Sequence, residues 1–410
     1  MKLRESALGV FGDNRRLPIH RWYPFIEGYS SELVAMALDE ARDASVVFDP
    51  FGGSGTTSLT AALRGSSSFF TEANPYMAWL ADVKVNGTRR AVGSGADCER
   101  LIAFAAQVER VRVPTVSSEH PLVIASDRRD YFPPGVASEI VGLISEVGER
   151  FDQPLRELAL VAVAAAITPS SNMLRRTDLR RRTTKDARPA DFRAEVAKNL
   201  QMVARDVALA GADVRGWAVQ IGDDAKFGWS VDEPITAIVT SPPYLNGTNY
   251  GRNTKLELLA LGFIDGEAGL EGLRTREITA GINNVAKRNA EPIEFPAVEE
   301  VAQRVSNASY DRRIASMVRA YFSDMYHVLR RTASYSAPHA ELWLDIGDSR
   351  YAGVAVPTHT LLAGVAELSG WCQVDERLLR TRRSYDGSAL SQSLLKFRRR
   401  DVDGSTGYGL

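Results

Sequence analysis

The stretch SVVFDPFGGSGTTSLTAALRGSSSFFTEA, Ser45 to Ala73, decides the fold. SVVFDPF (45–51) is a continuous apolar run closing on an acid, the pattern of a strand buried on both faces of a parallel sheet. GGSGTT (52–57) follows as a turn whose glycines let the backbone bend sharply and approach a ligand, because no Cβ is in the way. SLTAALRG (58–65) reads as a short helix stopped at Gly65, and SSFFTEA (67–73) as a second strand. Strand, turn, helix and strand in this order form a βαβ unit and argue for a parallel sheet covered by helices.

The same strand pattern returns later in the chain. AVQIGDD (218–224), AIVTSPP (237–243) and ELWLDIGD (341–348) each run apolar and then turn polar or proline-rich. CQVDERLLRT (372–381) and QSLLKFRRR (392–400) are two further candidates. Ligands of open α/β sheets sit at the carboxyl ends of the strands, where these polar tips lie. The expected fold is α/β, a Rossmann-like and mostly parallel sheet.

Two long stretches interrupt it. Residues 91–214 read as a helical insertion, with helices over 136–150, 155–168 and 192–211. A crossover needs only about a dozen residues, so this one carries a subdomain. Within it lies a basic loop, 175–188, holding Arg175, Arg176, Arg180, Arg181, Arg182, Lys185 and Arg188 against two acids. Residues 264–308 form a second, less regular insertion. In 309–332, Ile314, Met317, Val318, Tyr321, Phe322, Met325 and Leu329 recur at helical spacing, a core-packing stripe. The sheet is thereby expected from the discontinuous segments 1–90, 215–263 and 309–410.

The 410 residues carry 50 basic and 51 acidic side chains, so net charge advertises no polyanionic partner, although Arg outnumbers Lys 42 to 8. The apolar share of 44% and charged share of 25% exclude a disordered or collagen-like chain. Two cysteines, Cys98 and Cys372, exclude a disulfide framework or a cysteine-rich metal site, and the five histidines are scattered without metal spacing. The N-terminus lacks the apolar core of a signal peptide, and the most apolar run, Leu158–Ile167, falls short of the about 20 residues that span a bilayer. A cytoplasmic protein with neither metal nor membrane is expected.

Two motifs carry chemistry. The first is DPFGGSGTT (49–57), with Glu72 ending the next strand, where a carboxylate accepts hydrogen bonds from ribose hydroxyls. It has neither the Gly-Lys-Ser/Thr of a Walker loop nor the usual dinucleotide spacing. The second is TSPPY (240–244) at a strand end. Successive prolines fix φ and lack N–H groups, leaving carbonyls free to accept. With Ser241 before them and Tyr244 after, they suit the exocyclic amine of a flipped-out base. Asn249, Tyr250 and Arg252 follow, groups suited to bases or phosphates.

Together the two motifs resemble the S-adenosylmethionine-dependent DNA amino-methyltransferases, which methylate cytosine N4 or adenine N6. The resemblance covers the sheet, about half of the chain, and implies a class I methyltransferase core. It implies that Asp49, Phe51, Gly52, Gly53, Ser54, Gly55 and Thr56 wrap the methionine part of S-adenosylmethionine, with Glu72 on the ribose. Asp224, and second to it Asp223, match the acid at the adenine amine; Tyr23 and Phe25 match a segment closing over the methionine. Ser241 and the Pro242 carbonyl, stiffened by Pro243, would accept from the target amine while Tyr244 stacks on the base.

Serine in the first position favours cytosine N4 over adenine N6, whereas the motif order is that of a class richer in adenine enzymes. Carbon-5 methylation is not expected, because Cys98 follows Asp97 and Cys372 follows Trp371 rather than proline. The basic residues Arg175, Arg176, Arg180, Arg181 and Arg182, with Asn249, Tyr250 and Arg252, are the candidate DNA contacts. A cognate restriction endonuclease or other defence component is a partner that the resemblance leaves open. An RNA methyltransferase of the tRNA guanine-N2 type, and a non-catalytic nucleic-acid-binding relative, stand as alternatives.

Overall fold

The structure is a computed structural model that describes residues 8–24, 28–112, 114, 116–176, 178–246, 249–282, 285, 293–383 and 387–400. Seven strands form its central sheet: β1 (Val46–Asp49), β2 (Ser67–Thr71), β3 (Ala218–Gly222), β4 (Ile235–Thr240), β5 (Ser336–Gly347), β6 (Trp371–Arg383) and β7 (Ala389–Arg399). Their order across the sheet is β3-β2-β1-β4-β5-β7-β6. The pairings from β3 to β5 are parallel, and β7 runs antiparallel to both β5 and β6. This is the α/β, mostly parallel sheet that the sequence leads one to expect. The last two strands are a long hairpin, where the sequence suggested two short candidates.

Strand order reverses between β1 and β4, whose register pairs Val47 with Ala237 and Phe48 with Ile238. A crevice opens at such a switch point because the connections leave the strand tips in opposite directions. Alternation along β1 explains the layers: Val47 packs on one face with Leu33, Val239 and Trp343, and Phe48 on the other with Trp229, Met317 and Phe322. The covering helices on the first face are α1 (Ser31–Glu40) and α2 (Thr56–Leu63).

Beyond β2, α3 (Pro75–Asp82) starts at Asn74, whose side chain accepts from the N–H groups of Tyr76 and Met77, with Pro75 in the first turn. Onto it pack the insertion helices α4 (Val136–Arg150), α5 (Leu155–Ile167) and α6 (Phe192–Ala210) in one continuous apolar cluster. Buried Asp206 of α6 pins the segment before α1, accepting from the Ile19 N–H at 2.9 Å, Arg21 Nε at 3.0 Å and Trp22 Nε1 at 3.1 Å. The opposite face holds α7 (Pro296–Ala308), α8 (Arg313–Tyr335) and α9 (Thr358–Leu368); Met317, Val318, Tyr321, Phe322 and Met325 of α8 are all fully buried, as the stripe requires. Among the described residues no helix is long and apolar enough to cross a membrane.

Candidate active site

The glycine turn is built around Asp49. Its buried carboxylate accepts from the Phe51 N–H at 3.0 Å, the Thr240 hydroxyl at 2.7 Å and the Tyr29 hydroxyl at 3.0 Å. Burial raises its pKa while those donors oppose the rise. Asp49 therefore braces the β1–β4 seam, and in this arrangement it does not reach a ligand as the resemblance implied. Gly55 has φ of 79°, and a Cβ there would lie 2.9 Å from that of Ala81, so only glycine lets the turn rest against α3. Ser54 and Thr56 are buried beneath the turn.

Glu72, just past β2, faces that turn. One carboxylate oxygen accepts from the Gly53 N–H at 2.7 Å and the other from the Asn74 N–H at 2.8 Å. Burial pushes its pKa up to about 7; the two N–H groups favour the ionised form, and Glu277 and Asp49 disfavour it. A carboxylate offers about four acceptor sites, so two remain for hydroxyls.

These residues open into a cleft of about 840 Å³, its mouth included. Its walls bring together Phe51, Gly53 and Glu72 from the cofactor motif with Ser241, Pro242 and Pro243 from the catalytic motif, beside Tyr250. Sequence reasoning missed Asn74, Met77, Arg276, Glu277 and Ile278, which complete the lining. The Asn-Pro helix start at 74–75 was a legible signal for the first, whereas nothing local marked 276–278.

Asp223 and Asp224 hold that wall in place instead of facing the cleft. Asp223 pairs with Arg276, and Asp224 with Lys226 at 2.8 Å. Buried Lys226 donates in turn to the Arg276 carbonyl at 2.8 Å. The neighbouring Ala225 lines the cleft. Tyr23 is also displaced from its expected place: it is buried edge-on to Tyr76 at 5.3 Å, with the Arg175 guanidinium over its ring at 4.7 Å. Phe25 lies outside the described residues.

Tyr244 turns its hydroxyl into the sheet. It donates to Asp345 of β5 at 3.1 Å and accepts from Gln392 Nε2 of β7 at 2.8 Å, while Arg382 sits 5.8 Å from the ring centre. Gly347 permits the approach, since a Cβ there would lie 3.0 Å from the Tyr244 ring. The Tyr250 hydroxyl accepts from the Tyr244 N–H at 3.0 Å and so locks the backbone after the prolines.

The basic loop is partly a hairpin, Met173–Arg175 against Leu179–Arg181. Its arginines divide. Arg175 turns inward onto buried Glu257 at 2.8 Å, Thr168 at 3.1 Å and the Asn253 carbonyl at 3.0 Å. Arg182 binds the carbonyls of Ser171, Pro169 and Ala187. Neither offers its guanidinium to a phosphate here, which corrects the expectation for both. Arg180 and Arg181 carry local partners, Asp186 and Asp130, and Arg252 reaches Asp178 across the gap. Asn249 caps the short helix Tyr250–Asn253. Arg176 and Arg188 are exposed.

No family model matches the chain. It is 24% identical, over alignments covering 90% of its length, to the type II methyltransferases M.BsoBI of Geobacillus stearothermophilus and M.AvaI of Nostoc sp. strain PCC 7120, spanning 82% and 83% of them. The chain is a relative of the type II methyltransferases. Two solved methyltransferases, TrmN from Thermus thermophilus and the rRNA methyltransferase AviRa from Streptomyces viridochromogenes, match at 10% identity with TM-scores of 0.30 and 0.31, too loosely to add to the sheet order.

The cleft fits S-adenosylmethionine in its chemistry. Glu72 has acceptors left for vicinal hydroxyls, and Phe51, Met77 and Ile278 supply apolar walls for a purine. Ser54 Oγ is a buried hydroxyl without a hydrogen-bond partner beneath the turn. Among the described residues no group of three or more His, Cys, Asp or Glu side chains is placed to hold a metal.

Proposed function

We propose that the protein methylates an exocyclic amine of a flipped base in DNA, cytosine N4 ahead of adenine N6, with S-adenosylmethionine as methyl donor. The observation that carries this reading is the single cleft shared by Glu72 and Gly53 on one side and Ser241, Pro242 and Pro243 on the other. The type II relatives support DNA as the substrate, and Ser241 in the first motif position supports cytosine.

When bound, S-adenosylmethionine supplies an electrophilic methyl group on a sulfonium. The chain's own work is placement. Glu72 takes ribose hydroxyls, and the turn from Phe51 to Thr56 shapes the methionine end. An exocyclic amine is a weak nucleophile, its lone pair delocalised into the ring. Ser241 Oγ and the Pro242 carbonyl accept its hydrogens, which favours a pyramidal nitrogen and aims the lone pair at the methyl. Positioning and preorganised acceptors provide the rate, without a covalent enzyme intermediate. Residues 91–214 serve as the target-recognition region, with Arg176 of the hairpin and Arg188 beyond it on the phosphates, and 264–308 adds the wall at 276–278.

The test is incubation with methyl-labelled S-adenosylmethionine and unmethylated genomic DNA, followed by nucleoside mass spectrometry, beside Ser241→Ala and Tyr244→Ala and with tRNA in parallel. N4-methylcytosine lost in both variants is the expected result. N6-methyladenine overturns the base assignment, and label confined to tRNA overturns DNA as the substrate.

A further inference from the structure

Beneath the glycine turn lies a buried lysine with no acid to pair with it. Lys84 sits in a single turn of π-helix, Val83–Gly87, that continues α3, and it is 1% exposed between the buried Val83 and Val85. Such wider turns are rare and recur at functional sites. The Lys84 ammonium donates to the Ser54 carbonyl at 3.0 Å and to the His20 carbonyl at 3.4 Å. An ammonium has three hydrogens, one more than these two carbonyls take. Among the described residues no carboxylate pairs with it, and burial alone lowers its pKa, to about 7. A buried charge is costly unless an opposite charge or enough hydrogen bonds meet it.

Two further polar atoms on the residues it ties together lack a hydrogen-bond partner: Ser54 Oγ and His20 Nδ1, each on a side chain buried as deeply as the lysine's surroundings. Burial and then the Lys84 charge hold the His20 pKa down to about 3, so its ring is neutral and offsets nothing. Gly53, the residue before Ser54, lines the cleft and gives its N–H to Glu72 at 2.7 Å. The ammonium therefore stands behind the cleft wall, on the carbonyl of the next residue along the turn. Salt screens a buried charge much less than an exposed one, so Lys84 acts across the turn without touching what lies in the cleft. A fixed cation beside an unpartnered hydroxyl suits a carboxylate.

We propose that Lys84 is a positioning residue that, through the Ser54 corner of the glycine turn, supplies the counter-charge for the carboxylate at the methionine end of S-adenosylmethionine. The inference rests on the cofactor reading above and adds what the turn selects for: an amino-acid carboxylate at Ser54, with the ribose hydroxyls at Glu72. Lys84 takes no part in the transfer itself. Its charge decides which adenosine thioethers the turn accepts.

Calorimetry on the full chain with two ligands tests this. S-adenosylhomocysteine carries the carboxylate, whereas S-adenosyl-3-thiopropylamine keeps the adenosine, the sulfur and the amine but lacks it. Lys84→Met is expected to weaken the first by about tenfold, the scale of one charge-assisted interaction, and the second by less than about twofold. An equal loss for both ligands makes Lys84 a mere support of the turn and overturns the proposal, as does unchanged affinity for S-adenosylhomocysteine. Ser54→Ala removes an unpartnered hydroxyl and strands nothing, so it reads the same corner if Lys84→Met does not fold. There too the loss must fall on S-adenosylhomocysteine; a shared loss, or none, overturns the proposal. The readout needs no DNA. A protein that passes this test yet methylates no DNA loses the substrate reading alone, and a wild type that binds neither ligand loses the cofactor reading and this inference with it.

Discussion

Two buried aspartates stand at the carboxyl ends of neighbouring parts of the sheet, each capped by a tyrosine hydroxyl, and they serve different ends. Asp49 on β1 takes Tyr29, Thr240 and the Phe51 N–H and so braces the glycine turn. Asp345 on β5 takes Tyr244 and Gln392 and so braces the TSPPY motif. Thr240 at the end of β4 reaches the first corner, and Tyr244, four residues on, reaches the second. A buried carboxylate is costly unless its acceptors are filled. Here each is filled by groups of the two motifs or of the strand beside them.

The largest effect expected is on rate at the Asp345 corner. Ser241→Ala removes the acceptor itself and lowers single-turnover methylation by about 100- to 1,000-fold, with S-adenosylmethionine affinity unchanged in calorimetry. Lost cofactor affinity in that variant would merge the two corners into one.

Next comes stability at the Asp49 corner. Asp49→Ala strands two hydroxyls and one N–H in the interior and costs about 3 kcal/mol in urea unfolding, whereas Asp345→Asn keeps a hydrogen-bonding group and costs less. Glu72→Gln sits between the corners. It weakens S-adenosylmethionine binding by roughly tenfold, the scale of one charged hydrogen bond. In the wild type, Glu72 ionises as pH rises through about 7, so binding tightens over that range, and in the glutamine variant it does not.

A melting series sharpens the contrast further. The carboxyls of Asp345 and Glu72 have folded pKa values raised to about 7 by burial. Their contribution to stability is fully present below the ordinary carboxylate range and is lost as pH rises towards 7. Melting temperature should fall across that window, and Asp345→Asn should flatten the slope.

The smallest effect is at the hairpin. Arg176→Ala lowers the salt slope of DNA binding by about one and leaves folding intact, while Arg175→Ala leaves the slope and loses stability. Reversed outcomes would return Arg175 to the interface.

What was legible follows from the same contrast. The turn at 49–57 writes its geometry into consecutive residues, so the βαβ unit, the parallel sheet and the place of Glu72 at the end of the second strand could be read locally. TSPPY was equally local. The Asp345 corner joins residues 148 and 47 positions from Gln392 across a hairpin whose register no single segment states. Arg175 and Arg176 are neighbours, and a short hairpin, read from sequence as a loop, sends one inward and the other outward. Asp223 and Asp224 sit at the expected strand end, but Arg276 and Lys226 claim them from a stretch that carries no motif.

The seam between Tyr244 and Gln392 also sets an order in time. A ribosome adding about 5–20 residues per second needs on the order of ten seconds to travel from one to the other. During that interval the newborn chain already holds both motifs of its chemistry but lacks the amide that orients Tyr244. The corner around Tyr244 is thus completed only once the strand that carries Gln392 has been laid down.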